Sequence, residues 1–589
     1  MSRIRSKIAY YDLTGGLNNV STPDTLNSTT KKTESPDMVN VEFLKLGGIK
    51  SMDGNIQVGD KMSSAIVGGW EYVKNNSKYM VIALRNGEVR MLDAVTNTFK
   101  KLFQFPHSAD RVSFCNMNNG FVATNGSDDP IFYELGRHQI VSGTVSITTG
   151  TKTVTGVSSK FTTEIKPGDT VQFSTSDVVY TIDTVTDDTH LTITTNSANT
   201  YTNVNMYLSE VSACNATLVN EEDPDVHTPI RGTAIQFYNG RLWIGGENGL
   251  FYSQVGQYNK WDIKYDAGVI YSVYNDTSKI KGLGLYSDFM LVHKEYNTYI
   301  LTCTGDASTI QIKPYSNVSC DSQQSWIVSN TKYYVYSREN MDIFPLSQRT
   351  IFSDRYLGDA ITNKVRNVFQ NLREADLDDV FCVSLPRKRW MIFYMPMIDQ
   401  VGSSYGLIFD FQCKAFVVRK VPQQVTIAFN YVNEVYIGTE DGKVLKEFIG
   451  PTFDGQPIIS YYKSPWFDWA GDYFHSFSEF AVDLAAEYKN NFYIRTFKDG
   501  DSPYEDRIIT DDMLTSGGLI WDGDIHDDNN LTLWDKDVWA SGSFNSIRML
   551  LPNNVFETFQ VEIGTNAPGQ AFAIYGYNFR RIETEEAPW

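Results

Sequence analysis

Apolar and polar positions alternate along this chain in short runs that stop at Asn-Gly or Asp-Gly, and one such phrase is written three times. Met80-Val-Ile-Ala-Leu-Arg-Asn86-Gly87 reappears in kind as Leu242-Trp-Ile-Gly-Gly-Glu-Asn248-Gly249 and as Val435-Tyr-Ile-Gly-Thr-Glu-Asp441-Gly442. Each copy predicts a β-hairpin: a strand runs into a pair that tolerates the positive φ of a type I′ turn, and a second apolar strand follows. Weaker hairpins fall between them, at Phe121 to Tyr133, Met290 to Ile300, Tyr333 to Phe344 and Trp390 to Phe409. The seven starts (Met80, Phe121, Leu242, Met290, Tyr333, Trp390, Val435) are separated by 41, 121, 48, 43, 57 and 45 residues. Five of the six intervals lie near the roughly 40 to 50 residues of one four-stranded propeller blade. The pattern predicts a mainly β protein built on a seven-bladed β-propeller over residues 66–138 and 211–450.

The interval of 121 is explained by an inserted small β-domain at residues 139–210, where Thr alternates with Val or Ile: Gly143-Thr-Val-Ser-Ile, Lys152-Thr-Val-Thr-Gly156, Leu191-Thr-Ile-Thr194. Such alternation makes one face buried and one polar, as in a small sandwich or barrel. Residues 1–65 are turn-rich and read as an N-terminal extended arm. After Gly450 the rhythm stops at Pro451 to Pro457, and residues 451–589 read as a C-terminal β-rich, sandwich-like domain. Helical periodicity occurs once, at Leu357 to Leu377, with Ile361, Val365, Val368, Phe369 and Leu372 on one face. Lys364, Arg366 and Arg373 beside it read as a solvated helix surface.

With 589 residues the chain is too long for one core. It carries 51 Lys and Arg against 70 Asp and Glu, a formal charge of -19. That balance opposes general adhesion to nucleic-acid phosphates, though it suits a wall past which DNA slides without sticking. The six cysteines are scattered without a Cys-x-x-Cys pair, and read as buried thiols. The sequence shows no secretory signal and no apolar span of about 18 residues, so it predicts synthesis in a cytoplasm and no stable membrane insertion.

Signatures of chemistry fail in specific ways. Gly282-Leu-Gly284 lacks the third glycine of a dinucleotide loop and feeds a strand rather than a helix. P-loop, Gly-x-Ser-x-Gly and His-Glu-x-x-His motifs do not occur. Asp522 to Asn530 has the charge of a calcium loop, but His526 and Asp527 stand where such a loop needs Asp or Asn and Gly. The seven histidines form no ligand spacing, and His293 reads as a core residue. Trp466, Trp469, Trp521 and Trp534 read as core aromatics. The sequence predicts no enzyme, no cofactor, no metal and no catalytic residue.

The N-terminal words carry a resemblance. Asp12-Leu-Thr-Gly15-Gly16-Leu17-Asn18, Glu34-Ser-Pro36-Asp37-Met-Val-Asn40, and Gly47-Gly48-Ile-Lys50-Ser-Met-Asp-Gly54 resemble the opening of the tail nozzle proteins of short-tailed bacteriophages (podovirus type), also called tail tubular protein B or tail hub. The insert, with Phe161 to Asp169 and Val185 to Ile193, is similar to a small β-module of phage tail proteins. Direct resemblance covers about 120 residues. It implies a structural virion protein: a homohexamer below the portal and adaptor, made in the bacterial host cytoplasm, contacting tail fibres or spikes. Double-stranded DNA would pass through its channel during genome ejection without sequence-specific binding. The alternative expectation is a tail-associated receptor-binding or glycan-degrading propeller protein.

Overall fold

The computed structural model describes residues 3–22, 26, 32–137, 140–165, 167, 169–173, 178–272, 275–337, 342–346, 360–372, 380–395, 403–468, 473–485, 488, 491–500, 503–509, 544–550 and 555–586. The protein is mainly β. Seven consecutive antiparallel sheets follow one another along the chain, and their first strands are Ile66–Lys74, Ser113–Met117, Ala234–Tyr238, Ile280–Tyr286, Trp326–Ser329, Phe381–Leu385 and Val425–Tyr431. Each of the seven hairpin starts falls in the second strand of one of these sheets: Ser77–Leu84, Gly120–Thr124, Arg241–Gly246, Phe289–Lys294, Lys332–Ser337, Trp390–Met395 and Glu434–Thr439.

The first strands of neighbouring sheets pack on one another, and the seventh returns to the first. Between the fourth and fifth sheets side chains make the join. Tyr286, Phe289 and Leu291 pack on Tyr333, Val335 and Leu346, and Gln323 donates from Nε2 to Leu283 O at 2.9 Å while its Oε1 accepts from Leu283 N at 2.7 Å. Apolar clusters lie between successive sheets, so burial stabilises each sheet only through its neighbour.

The turns differ from the expected type. Gly87, Gly249 and Gly442 have φ of 89°, 130° and 85°, whereas Asn86, Asn248 and Asp441 are not in the left-handed region. Gly87 N bonds Leu84 O, and Gly442 N bonds Thr439 O. The loops at Gly87 and Gly442 hold three residues and are closed by a left-handed glycine, whereas Gly246 pairs with Gly249 across the two-residue loop Glu247-Asn248; none is a type I′ pair. Two-residue turns with both φ positive occur instead between first and second strands, at Asn75-Asn76, Asn239-Gly240, Asn330-Thr331 and Val432-Asn433.

Strands from 140 to 208 form a separate seven-stranded sheet with its own core of Val145, Val154, Phe161, Val171, Leu191 and Ile193. It interrupts the second sheet between Ile131–Tyr133 and that sheet's last strand, Val211–Ala213. The helix expected over Leu357 to Leu377 is corrected: its described part contains only a 3₁₀ segment, Arg366–Asn371. Of the apolar residues expected on its face, Val365, Phe369 and Leu372 are buried in the main core and Ile361 and Val368 are half-buried against it, but irregular backbone delivers them. Lys364 pairs with Glu34 and Arg366 approaches Asp342 at 3.8 Å, so these two cations face protein carboxylates rather than solvent alone. Arg373 lies outside the described residues.

Residues 1–65 are sheet strands as well as turns. Asn55–Val58 pairs with Val444–Glu447 as the fourth strand of the seventh sheet. Met38–Val39 lies between Ala415–Val421 of the sixth sheet and Ser460–Lys463, so the sixth sheet continues through it into the C-terminal region as nine strands. Arg3–Tyr10 and Ile49–Ser51 pair with Ala573–Glu586 in a second C-terminal sheet. Rings join the two C-terminal sheets edge to face: Phe477 lies 4.9 Å from Phe559 and 5.0 Å from Phe579.

Candidate functional site

The N-terminal words converge on one seam between the seventh-sheet closure, the sixth sheet and the C-terminal sheets. Gly16–Leu17 runs parallel to Glu34–Ser35, and Gly15 N donates to Thr33 O at 3.1 Å. Gly16 has φ +81°, and a Cβ there would lie 2.6 Å from the Ala415 methyl, so the first word rests directly on the sixth sheet. Leu17 is buried in the main core. Asn18 donates to Glu34 Oε2 at 2.7 Å, while its Oδ1 accepts from Val20 N and Ser21 N. Beyond Pro36, the Asp37 carboxylate accepts from Tyr461 OH at 3.1 Å and faces Lys463 Nζ at 3.7 Å.

Asn40 is the hub. It is buried at φ 53°, a left-handed conformation that asparagine tolerates better than most residues. Its Nδ2 donates to Lys420 O at 3.0 Å and Ile459 O at 2.8 Å, and its Oδ1 accepts from Lys420 N at 2.9 Å. Its backbone N donates to Val418 O and its carbonyl accepts from Met52 N, both at 2.8 Å. One residue therefore ties the sixth sheet to the start of the C-terminal region and to the third word.

Gly47 O accepts from Leu13 N at 2.8 Å, and Gly48 lies against Ile574. Gly54 admits the closest approach: a Cβ would sit 1.8 Å from Thr452 O. Behind it is a fully buried ion pair. Arg419 Nε donates to Glu447 Oε2 at 3.0 Å, its other nitrogens donate to Asp53 O at 2.7 Å and Gly54 O at 3.1 Å, and its plane lies 4.5 Å from Phe453. Glu447 also accepts from Asn55 Nδ2 at 2.8 Å and Tyr394 OH at 3.0 Å. Nearby, Glu42 takes Lys388 and Lys50 together. Burial raises the Glu42 pKa, but the two ammonium groups outweigh it and hold the carboxyl below its ordinary value. The seam holds charge in matched, hydrogen-bonded sets, an arrangement for joining segments rather than for transferring protons.

A second feature is a cavity of about 450 Å³ lined in large part by the first strands of several sheets. Trp70, Phe114, Trp326 and Phe429 supply rings, and Gln236, Gln324 and Asn433 supply amides. Glu71 is the carboxylate among the lining residues, and it is held by Lys78 Nζ at 2.7 Å and Val432 N at 2.6 Å. Glycine shapes the cavity: a Cβ on Gly69 would fall 2.1 Å from the Phe429 ring.

The residues weighed for chemistry have structural places. Gly284 sits in a strand beneath Tyr333, whose hydroxyl would be 2.2 Å from an added Cβ. His293 is buried, with Nδ1 2.8 Å from Thr298 Oγ1 and Nε2 2.7 Å from Tyr333 OH. Thr298 gives its own proton to Val318 O, so Nδ1 carries the imidazole proton and Nε2 accepts. Burial pulls this histidine down to about 3 and keeps it neutral. Among the described residues no group of three or more His, Cys, Asp or Glu is placed to hold a metal ion. Asp522 to Asn530, Trp469, Trp521 and Trp534 lie outside the described residues. Nothing in the local sequence marks this cavity, whose lining residues lie more than 300 positions apart, from Gly69 to Asn433.

No family model matches the chain, and no curated protein is similar to it. Among solved structures, the computationally designed Ika8 protein aligns at 11% identity and TM-score 0.34, covering 67% of this chain and 100% of that one. BamB from Moraxella catarrhalis aligns at 11% and 0.30, covering 70% and 94%. A chain of the Mitotic Checkpoint Complex aligns at 10% and 0.34, covering 67% and 93%. Scores this low bear on neither the family nor the function of this chain.

Proposed function

We propose that the seven sheets are the blades of one seven-bladed β-propeller, and that the protein is a structural component of a bacteriophage tail, a nozzle subunit acting as a homohexamer below the portal and adaptor. The propeller reading is supported by the order of first-strand contacts and by Asn55–Val58, which completes the last sheet with a strand from the other end of the ring. The nozzle reading rests on the resemblance of the N-terminal words. The observation that carries it is their convergence: Gly15, Gly16, Leu17, Asn18, Pro36, Asp37, Asn40, Gly47, Gly48 and Gly54 all lie along the seam. Shared words of this kind report a shared way of joining a ring to C-terminal sheets, not a shared reaction.

In this reading the conduit lies between copies. An axial cavity of about 450 Å³ is too small for a duplex, whose major groove alone is about 12 Å wide and 8.5 Å deep. Six copies closed head to tail leave no open edge, and the -19 of each chain repels the passing genome wherever it faces the channel. Electron micrographs of the purified protein mixed with a portal and adaptor complex test the proposal. Six-fold rings seated on the adaptor are expected; a monomer that never joins the complex overturns it. Release of new reducing ends from host polysaccharide would favour the glycan-degrading alternative instead.

A further inference from the structure

We infer that the axial cavity is a binding site for a neutral sugar ring. Four observations converge on that ligand class. The cavity, about 450 Å³, falls within the roughly 300 to 1,000 Å³ of small-ligand sites. It has a mouth, marked by exposed Val328 on the first strand of the fifth sheet and exposed Asn433 in the turn after the first strand of the seventh. Its aromatic wall is held rigid: Trp326 stacks on Tyr333 at 5.0 Å and 10°, and Tyr333 stacks on His293 at 5.6 Å and 22°. A ring clamped on one face offers its remaining surface to the cavity at little cost in side-chain freedom.

The fourth observation is unspent amide capacity: the Gln324 side-chain oxygen accepts from Arg111 at 3.1 Å while its amide nitrogen has no described partner, and the Gln236 nitrogen donates to Phe237 O at 3.3 Å.

The chemistry of this wall selects among ligands. The carboxylate of Glu71 is committed to Lys78 and Val432 N, and no cation lines the cavity, so neither an anion nor a cation finds a counter-charge. A wholly apolar molecule would leave the amides of the wall unpaired. A pyranose fits both halves: its C–H face lies on indole or phenyl rings, and its hydroxyls both donate and accept, as the amides require. This inference is independent of the hexamer and of any channel between copies.

Saturation-transfer difference NMR on the full-length protein tests it, with the methyl glycosides of glucose, galactose, rhamnose and N-acetylglucosamine as probes and adenine as a competitor class. The expected result is saturation of the ring C–H protons of at least one glycoside, reduced at least tenfold in Trp326→Leu and in Val328→Arg, and unchanged in Trp466→Phe. Val328→Arg changes an exposed residue at the mouth and keeps the test valid if Trp326→Leu does not fold. Transfer to none of the glycosides, transfer that survives in folded Trp326→Leu or Val328→Arg, or transfer to adenine alone overturns the inference.

Discussion

Arg419 and Glu447 meet at 3.0 Å with both side chains wholly removed from solvent, where the strand Asn55–Val58 closes the seventh sheet. Each partner has further bonds, to Asp53 O and Gly54 O on one side and to Asn55 and Tyr394 on the other. Removing one charge strands its partner, a loss of about 3 to 5 kcal/mol for a buried pair. Glu447→Gln and Arg419→Met are each expected to lower the melting temperature sharply. The double variant should cost less than the sum of the singles, because both lose the same interaction. Thermal unfolding of the three variants checks this; additive losses would mean the two residues act separately.

Asn40 combines a left-handed backbone with an amide that satisfies three groups. Asn40→Ala loses both properties and should destabilise by about 2 to 4 kcal/mol, the sum of unpaired buried groups and a left-handed penalty. Asn40→Gly relieves only the backbone and should recover about 1 kcal/mol. Chemical denaturation midpoints of the pair separate the two contributions, and equal midpoints would assign the whole effect to the amide.

Gly54 and Gly256 predict opposite tolerance. Gly54→Ala drives a methyl to 1.8 Å from a backbone oxygen that belongs to the seam, so the yield of soluble protein should collapse. Gly256 has φ +73° with open space around it, and Gly256→Ala should cost only about 1 kcal/mol. Soluble expression of both variants, compared with the parent chain, is the measurement.

The Glu42 cluster sets a pH limit. Its carboxyl is held below the ordinary value of 4.5 by Lys388 and Lys50 despite burial. A lowered carboxylate contributes stability that is complete above its unfolded pKa and is lost as pH falls through the folded one. Melting temperature should therefore drop below pH 4.5, and Glu42→Gln, already lacking that contribution, should show a shallower drop over the same range. Parallel curves for the two proteins would remove Glu42 from the acid response.

What was readable in the sequence was what the chain settles locally. All seven hairpin starts lie in second strands because apolar alternation and a nearby turn are enough to specify a hairpin, and the insert announced itself by a Thr-rich alternation unlike its surroundings. Turn type was misread because Asn-Gly alone does not fix the number of loop residues; the glycine at Gly87 and Gly442 is left-handed while its neighbour is not. Residues 1–65 read as an extended arm because their partners are distant in sequence: Asn40 bonds Lys420 and Ile459, and Asn55 bonds Glu447. The cavity beside Trp326 was invisible for the same reason. The 357–377 periodicity reported burial correctly but not the backbone that produced it.

The last strand of the seventh sheet is among the first to be made. Asn55–Val58 leaves the ribosome about 390 residues before Val444–Glu447, the strand it pairs with, and at about 5 to 20 residues per second it waits roughly 20 to 80 s for that partner. During vectorial synthesis the nascent chain thus carries an unmatched strand while six sheets form behind it. A cell producing many copies at once faces the hazard that this strand inserts into a sister polypeptide, and its short span of four residues, two of them the polar Asn55 and Gln57, lowers that risk.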